Sequence, residues 1–305
     1  MIYTITLNPC LDYIMDLDEF ESGIINRSKS ELVLPGGKGI NVSQILQELG
    51  VKNTAVFFSA SFTGKYLEQV LKEKNIETKS ISIDKGFTRI NVKVRSGYET
   101  AINAKGPEIS DSSLDELFNY LKSIDEGDII VISGNIPPGL KENIYEEIIA
   151  NSKKRGAEFV VDATKSALTS VLKHRPFLIK PNHEELGEIL DVEINNFEDA
   201  IDGSRKLQLE GARNIITSMG AKGAVLITED GEVFIAESLK GDVKNTVGAG
   251  DSMVAGFISG YYHMKNYEKA FALAVAAGTA TAFSDTLAKG EEIKRLEKGI
   301  NIQRL

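Results

Sequence analysis

Near the C-terminus, the segment Asn245 to Phe257 (NTVGAGDSMVAGF) sets three small residues beside a carboxylate. Gly248, Ala249 and Gly250 stand just before an apolar helical pattern. Without bulky side chains, their backbone N–H groups can approach an anion closely. A helix that starts here aims its unpaired N–H groups and the positive end of its dipole at the same point. Asp251 sits at that point. In phosphoryl transfer the amides would hold the moving group while the carboxylate accepts the proton of the attacking hydroxyl. The helix end is expected to lower the pKa of Asp251 and make it a weak base. A loose transition state tolerates that, because it asks for little proton removal early on. The same residues would serve equally as an ordinary helix start with a capping Asp.

A second glycine-rich turn runs into a helical pattern at Leu34 to Gly50 (LPGGKGINVSQILQELG). It is not a Walker A loop, since Gly-Lys-Ser/Thr occurs nowhere in the chain, and the G-x-G-x-x-G dinucleotide spacing is absent too. Alone it reads as a tight turn.

The elements around these segments are strands alternating with helices. Ile2 to Leu7, Thr54 to Phe58, Asp128 to Ser133, Glu158 to Asp162, Leu178 to Lys180, Asn214 to Ser218, Ala224 to Thr228 and Glu232 to Ala236 read as strands. Gly39 to Leu49, Lys65 to Lys74, Glu142 to Arg155, Gly250 to Tyr262 and Tyr267 to Phe283 read as helices. That alternation predicts an α/β fold, a doubly wound and mostly parallel sheet covered on both faces. Ligands in such sheets sit outside the carboxyl ends of the strands, which points to Asn8, Asp12, Asn135, Asn182 and Gly248. Two segments break the rhythm, about 12–34 and 86–105. In the second, Thr88 to Asn103 reads as a hairpin around Ser96-Gly97, with Ile90, Val92 and Val94 on one face and Arg89, Asn91, Lys93 and Arg95 on the other. A cationic hairpin is foreign to a doubly wound core and suits a small flanking sheet.

Composition excludes several classes. With 35 Lys+Arg against 44 Asp+Glu, the net charge is −9, unsuited to non-specific nucleic-acid binding. Cys10 is the one cysteine, so no intramolecular disulfide can form, and a reducing cytoplasm fits. The start of the chain lacks the basic, apolar pattern of a signal peptide, and no apolar run reaches the ~18 residues of a membrane span. A soluble, cytoplasmic protein of one 305-residue domain is expected.

Together, Gly36-Gly37-Lys38-Gly39-Ile40-Asn41 and Gly248-Ala249-Gly250-Asp251 resemble the paired motifs of the ribokinase-like family of carbohydrate kinases, the phosphofructokinase B type. The resemblance spans essentially the whole chain. It implies ATP as phosphoryl donor, Mg²⁺, and a small β-sheet lid over the sugar, formed by the two interrupting segments. It also implies roles. Asp251 matches the catalytic base and Gly248, Ala249 and Gly250 the anion hole. Asn182 and Glu185 match a segment that organises Mg-ATP indirectly, although the same pair would suit a plain helix start. Lys180, just before them, would touch ATP phosphate. Ser218-Met219-Gly220-Ala221-Lys222-Gly223 resembles the nucleotide loop, with Met219 where Leu is usual. Asp12, Gly37 and Asn41 match sugar-binding positions. Cys10 reads as a small buried neighbour of that site.

Thr88-Arg89-Ile90-Asn91-Val92-Lys93 and Asn26-Arg27 resemble the 1-phosphofructokinase branch, and more loosely the tagatose-6-phosphate kinases. That implies Arg89, with help from Arg27, on the phosphate already carried by the sugar. Lys38 could face either that phosphate or the transferring one. The sequence departs from the branch at Ala101 and Ala104, where Glu and Gly are common, and at Ser59-Ala60-Ser61, where glycines are. The implied reaction is ATP-dependent conversion of fructose 1-phosphate to fructose 1,6-bisphosphate. Tagatose-6-phosphate kinase and 6-phosphofructokinase are its neighbours, because either end of the ketohexose ring offers a primary alcohol. A silent sugar-phosphate sensor on the same fold would have no need of Asp251. A nicotinamide oxidoreductase lacks its glycine fingerprint, since Asn8-Pro9 follows the first strand. The apolar face of the lid predicts a homodimer joined lid to lid.

Overall fold

Short runs of β-branched and apolar residues build the strands, and each run is about as long as one pass through a sheet. The computed structural model describes residues 1–153, 156–163 and 165–305. In chain order the strands are β1 (Ile2–Thr6), β2 (Cys10–Asp16), β3 (Ser30–Gly36), β4 (Thr54–Ala60), β5 (Glu77–Ile83), β6 (Arg89–Ser96), β7 (Tyr98–Ile102), β8 (Ile129–Ser133), β9 (Glu158–Asp162), β10 (Leu178–Ile179), β11 (Asn214–Ser218), β12 (Gly223–Ile227), β13 (Val233–Glu237) and β14 (Ile302–Arg304). The helices are α1 (Lys38–Glu48), α2 (Ser61–Glu73), α3 (Asp111–Leu121), α4 (Ile144–Lys153), α5 (Lys165–Thr169), α6 (His183–Leu190), α7 (Phe197–Leu209), α8 (Ala249–Met264), α9 (Tyr267–Ala282) and α10 (Gly290–Glu297).

Among the described residues, ten strands form the main sheet in the order β14-β13-β12-β11-β10-β9-β8-β1-β4-β5. It is parallel from β5 to β11 and turns antiparallel for β12 to β14. Period-two alternation sends neighbouring residues to opposite faces. In β8, Ile130 and Ile132 join one core, with Leu117 and Leu121 of α3 and Ile148 and Ile149 of α4. Ile129 and Val131 join the other, with Ile45 of α1 and Val254 and Phe257 of α8. A strand covered on both faces has no use for a polar side, which is why β8 reads IIVIS. The doubly wound α/β architecture is the one the alternation predicts.

Several elements extend or add to that reading. The expected helix from Lys65 begins earlier, at Ser61. The expected helix over 142–155 runs Ile144–Lys153, and Lys154 and Arg155 lie outside the described residues. β5, α3 and α7 were not foreseen. β5 (ETKSISI) mixes polar and apolar residues because it is an edge strand. The helices α3 and α7 instead announce themselves by caps, with Ser110 accepting from Ser113 N–H and Asn196 from Asp199 N–H.

The interrupting segments form a second sheet in the order β3-β2-β6-β7, lying close to the predicted bounds. β2 and β6 are parallel and in register, Cys10 with Arg89, Asp12 with Asn91, Ile14 with Lys93. Asp12, Arg89, Asn91 and Lys93 therefore share one face. The hairpin turns at Gly97, where predicted. On the opposite face exposure is graded: Ile90 is 39% exposed, while Val94 is buried.

Candidate active site

The glycine-rich turn and the carboxylate come together at the start of α8. Gly248 precedes the helix with φ 81°, a left-handed conformation that suits glycine, and a β-carbon there would lie 2.6 Å from Leu287 Cδ2. Gly248 is thus the cap, and Asp251 lies inside the first turn. Its carboxylate is free of capping and crosses to α1, where Asn41 Nδ2 donates to Asp251 Oδ2 at 2.8 Å. The two glycine-rich segments, 210 residues apart, meet through this bond.

Asp251 is 5% exposed, and its pKa is pushed up to about 6. Burial is the largest cause and the charge of Asp162 the next, against the pull of Lys38, the Asn41 hydrogen bond and Lys180. The expected lowering by the helix end is therefore corrected: taking the carboxylate out of water outweighs the favourable helix terminus.

Asp162, the last residue of β9, was not singled out from the sequence. It is 2% exposed and lies between two cations, Lys180 Nζ at 3.4 Å and Lys38 Nζ at 3.6 Å. Burial pushes its pKa up, but Lys180 and Lys38 together prevail and hold the carboxyl below its usual range. Asp162 in turn is the chief cause that raises the pKa of Lys38. Lys180 Nζ also lies 3.1 Å from where a β-carbon on Gly250 would stand, so this cation borders the glycine-rich turn. The signal for Asp162 was available: a carboxylate closing an apolar strand of a parallel sheet is where ligands gather.

On the small sheet, Asp12 Oδ1 accepts from Asn91 Nδ2 at 3.0 Å, tying β2 to β6. Cys10, buried behind Asp12, has its thiol pushed up to about 12 by burial and then by Asp12, so it is a neutral filler, as expected. Asp12 and Asn41 line a cavity of about 270 Å³ that Lys93 and Arg95 also border. Gly37 caps α1, and Lys38 opens it. Arg89 is half-buried, its Nε–H donating to the Asn8 carbonyl at 3.2 Å. Arg27 is not brought to this group: it is exposed, in the turn past the Asp16–Ser30 end of the β2–β3 ladder, opposite to the Cys10–Gly36 end. Asn135 is exposed as well.

A second cavity, of about 930 Å³, is lined by Ser218, Gly220, Ala221 and Gly223, and reaches Ala249 and Gly250 at the start of α8. Val275, Gly278 and Phe283 add an apolar wall that the sequence did not flag. Asn182 borders it through its bridge to Ser218. Asn182 and Glu185 form a reciprocal capping box at the start of α6, Asn182 Oδ1 accepting from Glu185 N–H at 2.7 Å and Glu185 Oε2 from Asn182 N–H at 2.9 Å. The helix-start reading of this pair therefore holds in the structure. Glu185 Oε1 and Asn182 Nδ2 are outside that box.

The sequence pattern of the pfkB family carbohydrate kinases matches residues 5–292. A 1-phosphofructokinase of Bacillus subtilis is 44% identical over 305 residues, covering 100% of both chains. A D-tagatose-1-phosphate kinase of Bacillus licheniformis is 33% identical, again over 100% of both. Among solved structures, phosphofructokinase-2 of Escherichia coli in complex with substrates and products superposes with a TM-score of 0.92 at 28% identity, covering 98% of each chain.

Proposed function

The chain belongs to the pfkB family of carbohydrate kinases, and we propose that it transfers the γ-phosphoryl group of ATP to the C6 hydroxyl of fructose 1-phosphate, giving fructose 1,6-bisphosphate. The observation that carries this reading is the buried Asp251 carboxylate. Asn41 holds it beside the Gly248–Gly250 turn, between a cavity that Asn41 lines and one that Gly250 lines. The names of the Bacillus subtilis and Bacillus licheniformis relatives both put the existing phosphate on carbon 1, which supports C6 as the acceptor.

In this reading Asp251 is the base. With a pKa of about 6 it is ionised at neutral pH yet a better proton acceptor than an ordinary carboxylate. The C6 oxygen bonds to the γ-phosphorus as its proton passes to Asp251. The bond to the β-phosphate oxygen breaks, and ADP leaves with the electron pair. The amides of Gly248, Ala249 and Gly250 hold the moving group. Lys38 and Lys180, both anchored on Asp162, flank it with positive charge. This supports a role for Lys38 on the transferring phosphate rather than on the one already carried by the sugar. Asp12 and Asn41 bind sugar hydroxyls with Gly37 beside them, and Arg89 binds the C1 phosphate. Arg27 stays outside the set this conformation supports.

ATP fits the 930 Å³ cavity, whose lining includes Ser218, Gly220, Ala221, Gly223 and Gly250. For Mg²⁺, the described residues contain no cluster of three or more acidic, His or Cys ligands. The donor set therefore fits a cation held mainly by nucleotide phosphates and water, with Asn182 and Glu185 holding its water shell and the cation screening phosphate charge.

The small sheet acts as a lid, and its outer face, with Ile90, Tyr98 and Ile102 exposed, supports a homodimer joined lid to lid. No helix among the described residues is long and apolar enough to cross a membrane, and a cytoplasmic site fits an enzyme that draws on ATP.

The test is a coupled ADP-release assay with fructose 1-phosphate, fructose 6-phosphate, tagatose 6-phosphate and fructose. A kcat/KM for fructose 1-phosphate about 100-fold above the rest, or ~2.7 kcal/mol of transition-state discrimination, is expected. Preference for a 6-phosphate would reverse the ring in the pocket. No turnover with any of the four would overturn the reading.

A further inference from the structure

We propose that Asn8 is a positioning residue for Arg89, fixing the guanidinium before the sugar phosphate arrives; this rests on the reading of Arg89 as the ligand of that phosphate. Asn8 stands two residues past the end of β1, at the carboxyl end of the main sheet. Its side-chain Nδ2 donates to the Lys105 carbonyl at 2.8 Å, in the segment that leaves the small sheet after β7. Its own backbone carbonyl accepts from Arg89 Nε at 3.2 Å. The neighbour of Lys105, Ala104, offers its carbonyl to Arg89 Nη1 at 3.5 Å. A closed circuit results, running from the main sheet through the Asn8 amide to the return segment, from there to Arg89, and back to Asn8.

The circuit sets which donors remain. A guanidinium carries five N–H groups in a rigid fork. Two are committed to the Asn8 and Ala104 carbonyls. The two on Nη2 and the second on Nη1 stay available to phosphate oxygens. Arginine is long and flexible, and tying down its inner edge removes rotamer freedom before binding rather than during it.

The return segment is built around the Asn8 side chain. Gly106 has φ 88°, and a β-carbon there would lie 2.2 Å from Asn8 Oδ1. That oxygen is buried with no hydrogen-bond partner, so packing against Gly106 and the single Nδ2 bond hold the amide. Any side chain at position 106 would push the amide off the Lys105 carbonyl.

The experiment measures KM for fructose 1-phosphate, KM for ATP, and kcat in Asn8→Ala, Gly106→Ala, Arg89→Ala and the double variant Asn8→Ala/Arg89→Ala. Arg89→Ala tests the parent reading and should raise the sugar-phosphate KM. Asn8→Ala should raise the same KM by about 5–20-fold, with ATP KM and kcat within about twofold, a split that a general folding defect would not give. On the Arg89→Ala background, Asn8→Ala should add less than about twofold, because nothing is left to position. Gly106→Ala reaches the same circuit from the other side and should reproduce the split even where Asn8→Ala folds poorly. An unchanged KM in Asn8→Ala and Gly106→Ala, or an equal effect of Asn8→Ala in both backgrounds, overturns the role of Asn8 and leaves Arg89 standing. An unchanged KM in Arg89→Ala overturns the phosphate reading, and the positioning role with it.

Discussion

The end of the main sheet and the small sheet both contribute charge to one site, and they hold it in opposite ways. Asp162, Asp251 and Lys180 are 2%, 5% and 5% exposed and lean on one another. Arg89, Lys93 and Arg95 are half-buried on a sheet whose far strand leaves Tyr98 74% and Ile102 61% exposed. The first arrangement is a desolvated cluster in which each charge sets the properties of the next, so no member can change alone. The second is open, and one side chain can be exchanged at small cost to the fold. A constant chemical step suits the former, and a choice among similar sugars suits the latter.

That contrast breaks if the buried cluster tolerates substitution. Asp251→Ala should lower kcat by at least about a thousandfold, with the fold intact by circular dichroism; near-normal turnover would remove Asp251 as the base. In the parent protein, kcat/KM should fall as pH drops through about 6, where the raised pKa of Asp251 puts its protonation. Next in size is Asp162→Asn, which strands two lysines. Denaturant melts should show a loss of about 3–5 kcal/mol. With the negative neighbour gone, the acid limb of the pH profile should also move to lower pH. An unchanged midpoint and limb would mean that Asp162 is not the anchor of the cluster.

The open sheet should respond more mildly. Arg89→Lys keeps the charge but loses the fork, and should raise the KM for fructose 1-phosphate about tenfold, with melting unchanged within ~0.5 kcal/mol. A large stability loss here would erase the distinction between the regions. Smallest for catalysis is Ile102→Lys on the outer face. It should leave kcat within about twofold while light scattering shows the dimer giving way to monomer. A monomeric parent protein would remove the lid-to-lid interface.

The difference also marks what sequence reading could reach. Most strands of the main sheet and the helix after Gly248 were legible because period and punctuation are local, whereas the edge strand β5 was not. Asp251 and Asn41 were legible as motif members, though not as partners. Two things were hidden because they exist only across the fold. The pKa of Asp251 depends on burial and on Asp162, neither of which is near it in sequence. The mutual capping of Asn182 and Glu185, three residues apart, was by contrast foreseen as the plainer alternative, and the structure shows it. The position of Arg27 followed from the β2–β3 register, which residue types do not set.

The bond between Asn41 and Asp251 spans 210 residues, and β1 finds its partner β8 only after residue 129. A ribosome adding ~5–20 residues per second needs roughly 10–40 s to travel from one side of that bond to the other. For that interval the first glycine turn exists without its carboxylate, so the emerging chain can begin to lay down its sheet while it is still unable to transfer a phosphoryl group. Activity becomes the last property acquired, and its return after refolding should trail the return of secondary structure.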